Sequence, residues 1–157
     1  MTAVLAPRPR TDAPMLVPTR LFGPLTVHPD SCILFPEGLL GFAGERRFIL
    51  LPATPEGVFW MQAVDDAGLA FLTVNPLLFE PDYAPDLGGA LPAETSEVGL
   101  LAIVTLPRRA GDPCTMNLQG PVVIDFSART GRQVIVTRGS YSTRHRIDGR
   151  QLLRGAA

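Results

Sequence analysis

The sequence contains no lysine, so all 14 of its basic residues are arginines, and these stand against 15 acidic residues. The formal net charge is −1. Domains that bind DNA or RNA directly usually carry a strongly basic face, because neutralising phosphates supplies much of their affinity. The near-neutral balance therefore argues against a nucleic acid as the direct ligand. Residues 38–44 hold three glycines, but a P-loop also needs a lysine, which this chain cannot supply.

Side chains that bind metals or act as nucleophiles are scarce. The chain has two histidines, His28 and His145, and two cysteines, Cys32 and Cys114. Structural zinc normally takes four Cys or His ligands, and these four are scattered along the chain instead of being grouped in pairs. We interpret the cysteines as small buried apolar side chains of a cytosolic protein. We expect no metal, no cofactor and no enzymatic activity.

Long apolar runs are also missing, and none approaches the roughly 18–20 residues that cross a bilayer. Residues 1–18 carry four prolines and no continuous apolar segment, so they do not resemble a signal peptide. We therefore expect a cytoplasmic protein that has no contact with membranes.

The length of 157 residues fits one domain. We predict a flexible proline-rich extension over 1–18, a folded domain over 19–145 and a frayed tail over 146–157.

Short apolar runs separated by Gly, Pro and Asp fill the remainder of the sequence. Residues 58–64 and 69–74 predict a hairpin, because the Asp/Gly-containing segment 65–68 between them suits a tight turn. Helix-length periodicity is lacking, apart from one helical turn predicted over 92–97. The pattern predicts an all-β sandwich or barrel. The predicted strands cover 21–27, 32–35, 48–51, 58–64, 69–74, 98–106, 115–126 (with a bulge or kink at Gly120-Pro121) and, after a turn at 129–131, 133–137.

Three stretches carry more aromatic, proline and arginine side chains than strands require. Residues 75–83 place aromatic and proline side chains in a loop, where they either pin the loop to the core or contact a partner. Residues 141–145 contain Tyr and Arg, which are enriched at binding hot spots, although a polar strand end is the alternative. Phe59 and Trp60 are adjacent, so strand alternation buries one of them and exposes the other. Core packing is the default interpretation of that pair.

Six ordered segments of the chain form a recognisable series. They are FPEGLLGF (35–42), FWMQ (59–62), NPLLFEPDY (75–83), AIVTLP (102–107), TMNLQGPVVI (115–124) and YSTRH (141–145). Each segment alone is short, but their order and gaps together resemble the FliW family over about residues 19–145. The proline-rich start and the tail after His145 have no counterpart in the resemblance.

The resemblance implies a small, single-domain antiparallel β-barrel-like fold with at most one or two short helical turns. It implies a flagellar assembly factor that binds newly made flagellin in the cytoplasm and also binds CsrA, an RNA-binding translational repressor. Binding to CsrA would relieve its repression of flagellin synthesis, and flagellin would compete for the same factor. The protein is expected to be a monomer that contacts these proteins and no nucleic acid.

We predict that the partner-binding surface is formed by the two segments rich in aromatic, proline and arginine residues, with the exposed member of the Phe59/Trp60 pair as an anchor. Two alternatives remain at this stage. One is a β-barrel that holds a small apolar ligand, and the other is a hydrolase or metal site that uses the histidines or cysteines. The predicted partner-binding residues are Phe59, Trp60, Asn75, Pro76, Phe79, Pro81, Asp82, Tyr83, Tyr141, Ser142, Thr143, Arg144 and His145.

Overall fold

The computed structural model describes residues 13–91 and 97–153. Strands dominate these residues, and helical structure is limited to three short 3-10 turns, at Pro29–Ser31, Pro76–Leu78 and Gly88–Ala90, and one short helix, α1 (Arg150–Leu153). The strands are β1 (Met15–Val17), β2 (Leu25–Val27), β3 (Cys32–Leu34), β4 (Arg47–Pro52), β5 (Val58–Ala63), β6 (Ala70–Val74), β7 (Val98–Thr105), β8 (Cys114–Met116), β9 (Val122–Asp125), β10 (Thr130–Gln133) and β11 (His145–Ile147).

Seven of the strands form a closed barrel. Neighbours in the ring run β7-β6-β5-β4-β3-β10-β9, and β9 closes it by pairing with both β10 and β7. All of these pairs are antiparallel except β10 with β3, which is parallel. The all-β barrel fold predicted from the sequence is therefore confirmed.

The inside of the barrel is filled by large apolar side chains. Alternation along each strand sends every second residue inward, and the rings of Phe35 and Phe48 meet there edge to face with 5.1 Å between their centres. On β10 the inward position is Gly131, where a Cβ atom would overlap the Phe35 ring. The buried interior cluster consists of Ile33, Phe35, Leu39, Phe48, Met61, Ala63, Leu101, Val122 and Ile124.

Two coverings bury parts of the outer face of the barrel. The antiparallel ribbon of β1 and β2 packs Val17 against Ile49 and Val64. A second outer cluster lies where β5, β6 and β7 are covered by residues 79–83, by β8 and by α1. Its buried members are Val58, Val74, Tyr83, Ala102, Val104, Cys114, Met116, Leu118 and Leu152.

Strands β8 and β11 extend this second region beyond the ring. Strand β7 pairs with β9 through Val98–Leu101 and with β8 through Val104 and Thr105, so one long strand serves both partners. Strand β11 then pairs with the other edge of β8, and His145 lies opposite Met116. This extension places β11 two strands from β7, with Ile147 packed against the second outer cluster.

Most predicted strands are confirmed, including the 58–64/69–74 hairpin, in which Phe59 pairs with Thr73 and Met61 pairs with Phe71. The predicted strand 21–27 is shorter than expected, because residues 20–23 form a turn before β2. The segment 115–126 forms two separate strands, β8 and β9. Asn117 connects them: its Oδ1 accepts hydrogen bonds from the backbone N–H groups of Gln119 and Gly120.

The last predicted strand is wrong in its position. We expected a turn at 129–131 followed by a strand over 133–137, whereas β10 already begins at Thr130 and ends at Gln133. Arg129 adopts a positive φ of 57° and completes the turn instead of Gly131. Gly131 is needed inside the strand because the Phe35 ring fills the space of its missing side chain.

The ends of the chain differ from the predicted domain boundaries where the structure describes them. Met15–Val17 is a strand and Val17 is fully buried, so these residues belong to the folded domain and not to an extension. Residues 146 and 147 lie in β11, and Leu152 of α1 packs into the outer cluster instead of fraying. Residues 1–12, residues 92–96 of the helical turn predicted over 92–97, and residues 154–157 lie outside the described residues.

Candidate partner-binding site

Residues 75–83 begin with a 3-10 turn that the sequence fixes locally. Asn75 caps it, because its Oδ1 accepts a hydrogen bond of 3.1 Å from the backbone N–H of Leu77. Pro76 stands at the first position of the turn, where its missing N–H costs nothing, and it is buried. Phe79 is half-buried against the outer cluster. The aromatic and proline side chains thus anchor this loop to the barrel.

The two loop segments predicted to carry the site lie against each other. The rings of Tyr83 and Tyr141 meet edge to face, with 4.9 Å between centres and 81° between planes. His145 Nε2 lies 2.7 Å from Glu80 Oε1. The backbone N–H of Leu118 donates to the carbonyl of Ser142 at 3.0 Å. Together these contacts join residues 79–83 to residues 141–145.

Tyr83 is buried at the centre of these contacts. Only 6% of it is exposed, and its hydroxyl donates a hydrogen bond of 2.6 Å to the Leu118 carbonyl. Burial, with a smaller contribution from Tyr141, raises the pKa of Tyr83 to about 12. The phenol therefore stays neutral and keeps donating at physiological pH. We predicted Tyr83 as a partner-binding residue, and the structure places it beneath the surface that its neighbours form.

A cleft of about 280 Å³ opens between the two segments. It is lined by the Glu80–His145 pair, by the two tyrosines and by Leu118. Asp82 and Ser142 lie at its exposed rim, and Arg144 is exposed nearby. The lining residues are Glu80, Asp82, Tyr83, Leu118, Ser140, Tyr141, Ser142 and His145.

Exposure separates the predicted residues of these segments into three groups. Pro76 and Tyr83 are buried, and Asn75, Phe79, Tyr141 and His145 are half-buried. The exposed residues, which are the ones able to contact a partner directly, are Pro81, Asp82, Ser142, Thr143 and Arg144.

Phe59 and Trp60 do not follow the expectation that one is buried and the other exposed, because both are half-buried. Phe59 faces the barrel interior and packs against its cluster. Trp60 faces outward, and its ring meets Phe22 edge to face with 6.3 Å between centres. The cleft between the two loop segments is lined by other residues. The structure therefore does not bring this pair together with the other predicted site residues.

Three residues of the first segment were not among the partner-binding residues that we predicted from the sequence. Leu77 and Leu78 are exposed by 43% and 49% on the 3-10 turn, beside the buried Pro76. Both leucines follow the capping Asn75 and the buried Pro76 in a short turn, and this pattern could have predicted that their side chains are exposed. Glu80 offered no such signal, because its partner His145 is 65 residues away in sequence.

The two cysteines considered for chemistry pack in different clusters, Cys32 beside the β1–β2 ribbon and Cys114 in the second outer cluster. Among residues 13–91 and 97–153, no three His, Cys, Asp or Glu side chains are placed to hold a metal ion. Burial raises the pKa of both Cys32 and Cys114, and a raised pKa disfavours the reactive thiolate. Cys114 is buried as predicted, whereas Cys32 is only half-buried. No helix in the described part of the chain is long and apolar enough to span a membrane.

Comparisons with known proteins agree on one family. The profile described as FliW protein matches residues 16–147. The flagellar assembly factor FliW of Treponema denticola is 34% identical over 138 residues, which cover 85% of this chain and 93% of that protein. Its counterpart from Moorella thermoacetica is 36% identical over 139 residues, which cover 85% of this chain and 88% of that protein.

The fold of this chain also matches that of a solved structure from the same family. The crystal structure of the flagellar assembly factor FliW superposes with a TM-score of 0.75 and 32% sequence identity, covering 84% of this chain and 96% of that one. This protein therefore belongs to the FliW family of flagellar assembly factors.

Proposed function

We propose that this flagellar assembly factor binds flagellin in the cytoplasm and also binds the translational repressor CsrA, and that the second interaction relieves repression of flagellin mRNA translation. The observation that carries the proposal is the contact between residues 79–83 and 141–145, which builds one continuous surface from two segments of unusual composition. Family membership supports a protein partner in flagellar assembly. The near-neutral charge fits a factor that binds the repressor protein itself and not its RNA.

The surface has the composition of a protein interface. Tyr and Arg are enriched at interfaces and at their energetic hot spots. Here the half-buried Tyr141 stands beside the exposed Arg144, and the exposed leucines of the 3-10 turn add apolar area on the first segment. Tyr83, Pro76 and Phe79 contribute indirectly by holding the loop in place. Competition between the two partners follows from mass action if their footprints overlap on this surface.

The decisive experiment is isothermal titration of the purified protein with flagellin, and separately with CsrA, both from the same genome. Sub-micromolar binding to each, with one partner displacing the other, is the expected result. Binding to flagellin alone would refute the regulatory half of the proposal. No binding to either protein would refute the whole proposal.

Arg144 provides the test of the surface. We expect Arg144→Glu to weaken binding of at least one partner about ten-fold, because a reversed charge at an interface rim replaces attraction with repulsion. Arg46→Glu is the matched control, since Arg46 is also exposed and precedes β4, which lies three strands from β7 in the ring. Equal affinities of the two variants for both partners would contradict the assignment of this surface.

The alternative of a barrel that holds a small apolar ligand has less support than binding to flagellin and CsrA. A ligand-binding barrel needs room inside, whereas the interior of this one is packed with Phe35, Phe48 and their neighbours. The space beside Gly131 is taken by the Phe35 ring. We also propose that the protein is a monomer and has no enzymatic activity. Native mass spectrometry of the purified protein would detect a retained small molecule and give the oligomeric state in the same measurement.

A further inference from the structure

The barrel ring leaves few backbone hydrogen-bonding groups free, because its seven strands are each paired on both sides. The exception in this sheet is the extension through β8, which ends at β11. One edge of β11 pairs with β8, and within residues 13–91 and 97–153 no strand pairs with its other edge. In an antiparallel pair, alternate residues point their N–H and C=O groups away from the partner strand. The outer edge of β11 therefore presents unpaired backbone donors and acceptors.

This open edge adjoins the candidate partner-binding site. His145 is the first residue of β11 and also lines the cleft between the two loop segments. Ile147 is half-buried in the outer cluster, which fixes the strand against the barrel. Arg146, between them, is exposed. The edge is thus held rigidly beside the surface to which we assign partner binding.

The charges along this edge indicate what it would accept. Arg144 and Arg146 are both exposed, and within the described residues neither guanidinium makes an ion pair. Two carboxylates lie nearby: Asp148, whose Oδ1 accepts a hydrogen bond from the backbone N–H of Arg150, and Glu80, which contacts His145. A peptide that carries acidic side chains would complement the two arginines, whereas a basic one would be repelled.

We propose that β11 is a docking edge on which an extended, acidic segment of a protein partner adds as a further strand. The backbone hydrogen bonds would supply affinity, and the arginines would select a segment with Asp or Glu near them. The proposal rests on the function proposed above and specifies how that surface is used. It predicts that the bound partner protects the backbone of β11 as well as covering side chains.

Hydrogen exchange followed by mass spectrometry tests the backbone part, with flagellin and CsrA from the same genome as probes. Among residues 145–147, we expect the amides that point away from β8 to exchange roughly ten-fold more slowly in the complex with at least one partner. The ribbon strand β1, which pairs only with β2, is the internal control and should exchange at an unchanged rate. Binding without added protection of β11 would overturn the strand-addition mechanism and leave the proposed function intact.

Charge reversal tests the selection of an acidic segment. We expect Arg146→Glu to weaken binding of the partner that protects β11 by about ten-fold, with the loss growing smaller at high salt. Arg46→Glu should bind as the wild type does. Circular dichroism and the melting temperature of each variant establish that both are folded. Equal binding by the two folded variants would overturn the charge selection, and failure of both proteins to bind the wild type would refute the proposed function and this inference together.

Discussion

Removing the hydroxyl of Tyr83 should destabilise the protein by an amount that the structure allows us to work out. In the variant Tyr83→Phe the ring keeps its edge-to-face contact with Tyr141, so packing is preserved. The change deletes the 2.6 Å hydrogen bond to the Leu118 carbonyl, which is left buried without its donor. Leaving a buried acceptor unsatisfied costs about 1–3 kcal/mol. We expect the free energy of unfolding to fall by this amount, measured by urea denaturation at neutral pH.

The matched control is Tyr141→Phe. Tyr141 is half-buried, and among the described residues its hydroxyl makes no hydrogen bond, so its removal should change the free energy of unfolding by less than about 0.5 kcal/mol. At roughly 3 °C per kcal/mol, the melting temperatures of the two variants should differ clearly. If the two variants are equally stable, the hydrogen bond from Tyr83 to Leu118 does not stabilise the fold.

The same hydroxyl predicts how stability depends on pH in the alkaline range. The pKa of Tyr83 is raised from 10.0 to about 12 in the folded protein. The unfolded chain therefore releases the proton first, so the stabilisation is complete below pH 10.0 and is lost as the pH rises towards 12. Two pKa units correspond to about 2.7 kcal/mol. The chain has no lysine, so the side chains other than tyrosine that titrate in this alkaline range are the two cysteines, whose pKa values burial also raises.

The phenolate absorbance provides a direct measurement. The chain has two tyrosines, so in the Tyr141→Phe variant only Tyr83 contributes to it. We expect the titration midpoint of the folded variant to lie near 12. A midpoint near 10.0, the ordinary value, would show that this phenol is solvated and would contradict its buried position.

Two further predictions concern the barrel itself. Gly131→Ala should lower the free energy of unfolding by about 1–3 kcal/mol, because the added methyl group overlaps the ring of Phe35. The control is Gly44→Ala, where nothing lies within 4 Å of the added methyl group. Similar stabilities of the two variants would disprove the clash with Phe35. Arg47→Ala removes a two-point ion pair with Asp65 that is about half exposed, so urea denaturation should show a loss below about 1 kcal/mol that shrinks further in high salt. The hydrogen bond from Arg47 lowers the pKa of Asp65, so this small stabilisation is present above pH 3.8 and should disappear as the pH falls below it; a loss that persists in strong acid would rule out the ion pair as its source.

The local features of the sequence were sufficient for much of the strand pattern. The hairpin of β5 and β6 follows from two apolar runs separated by an Asp/Gly turn, and such signals act within a few residues of each other. The prolines of residues 75–83 correctly indicated a loop, since proline lacks the N–H donor that the interior of a sheet requires. The resemblance to the FliW family also depended on the sequence alone, and the comparisons confirm it. The candidate site residues stay a prediction, which the structure refines by separating exposed from buried positions.

Local signals failed where a distant contact decides the conformation. Gly131 was interpreted as a turn residue because glycine favours turns, but it lies in β10 because a phenylalanine nearly a hundred residues earlier fills the space beside it. The prolines that flank Met15–Val17 suggested an extension, yet the segment pairs with β2 and buries Val17. Both errors arise because the free energy gained by burial can outweigh the weak conformational preference of a short segment.

The class of the protein follows from the chain alone: it is all-β, has no metal-binding motif and no excess of basic residues, and is similar to one family of flagellar assembly factors. The closure of the barrel by β9, which pairs with both β10 and β7, could be seen only in the folded protein, as could the contacts of Tyr83 with Tyr141 and of Glu80 with His145. Such pairing and packing depend on groups that are far apart in the chain, so no local pattern encodes their mutual fit.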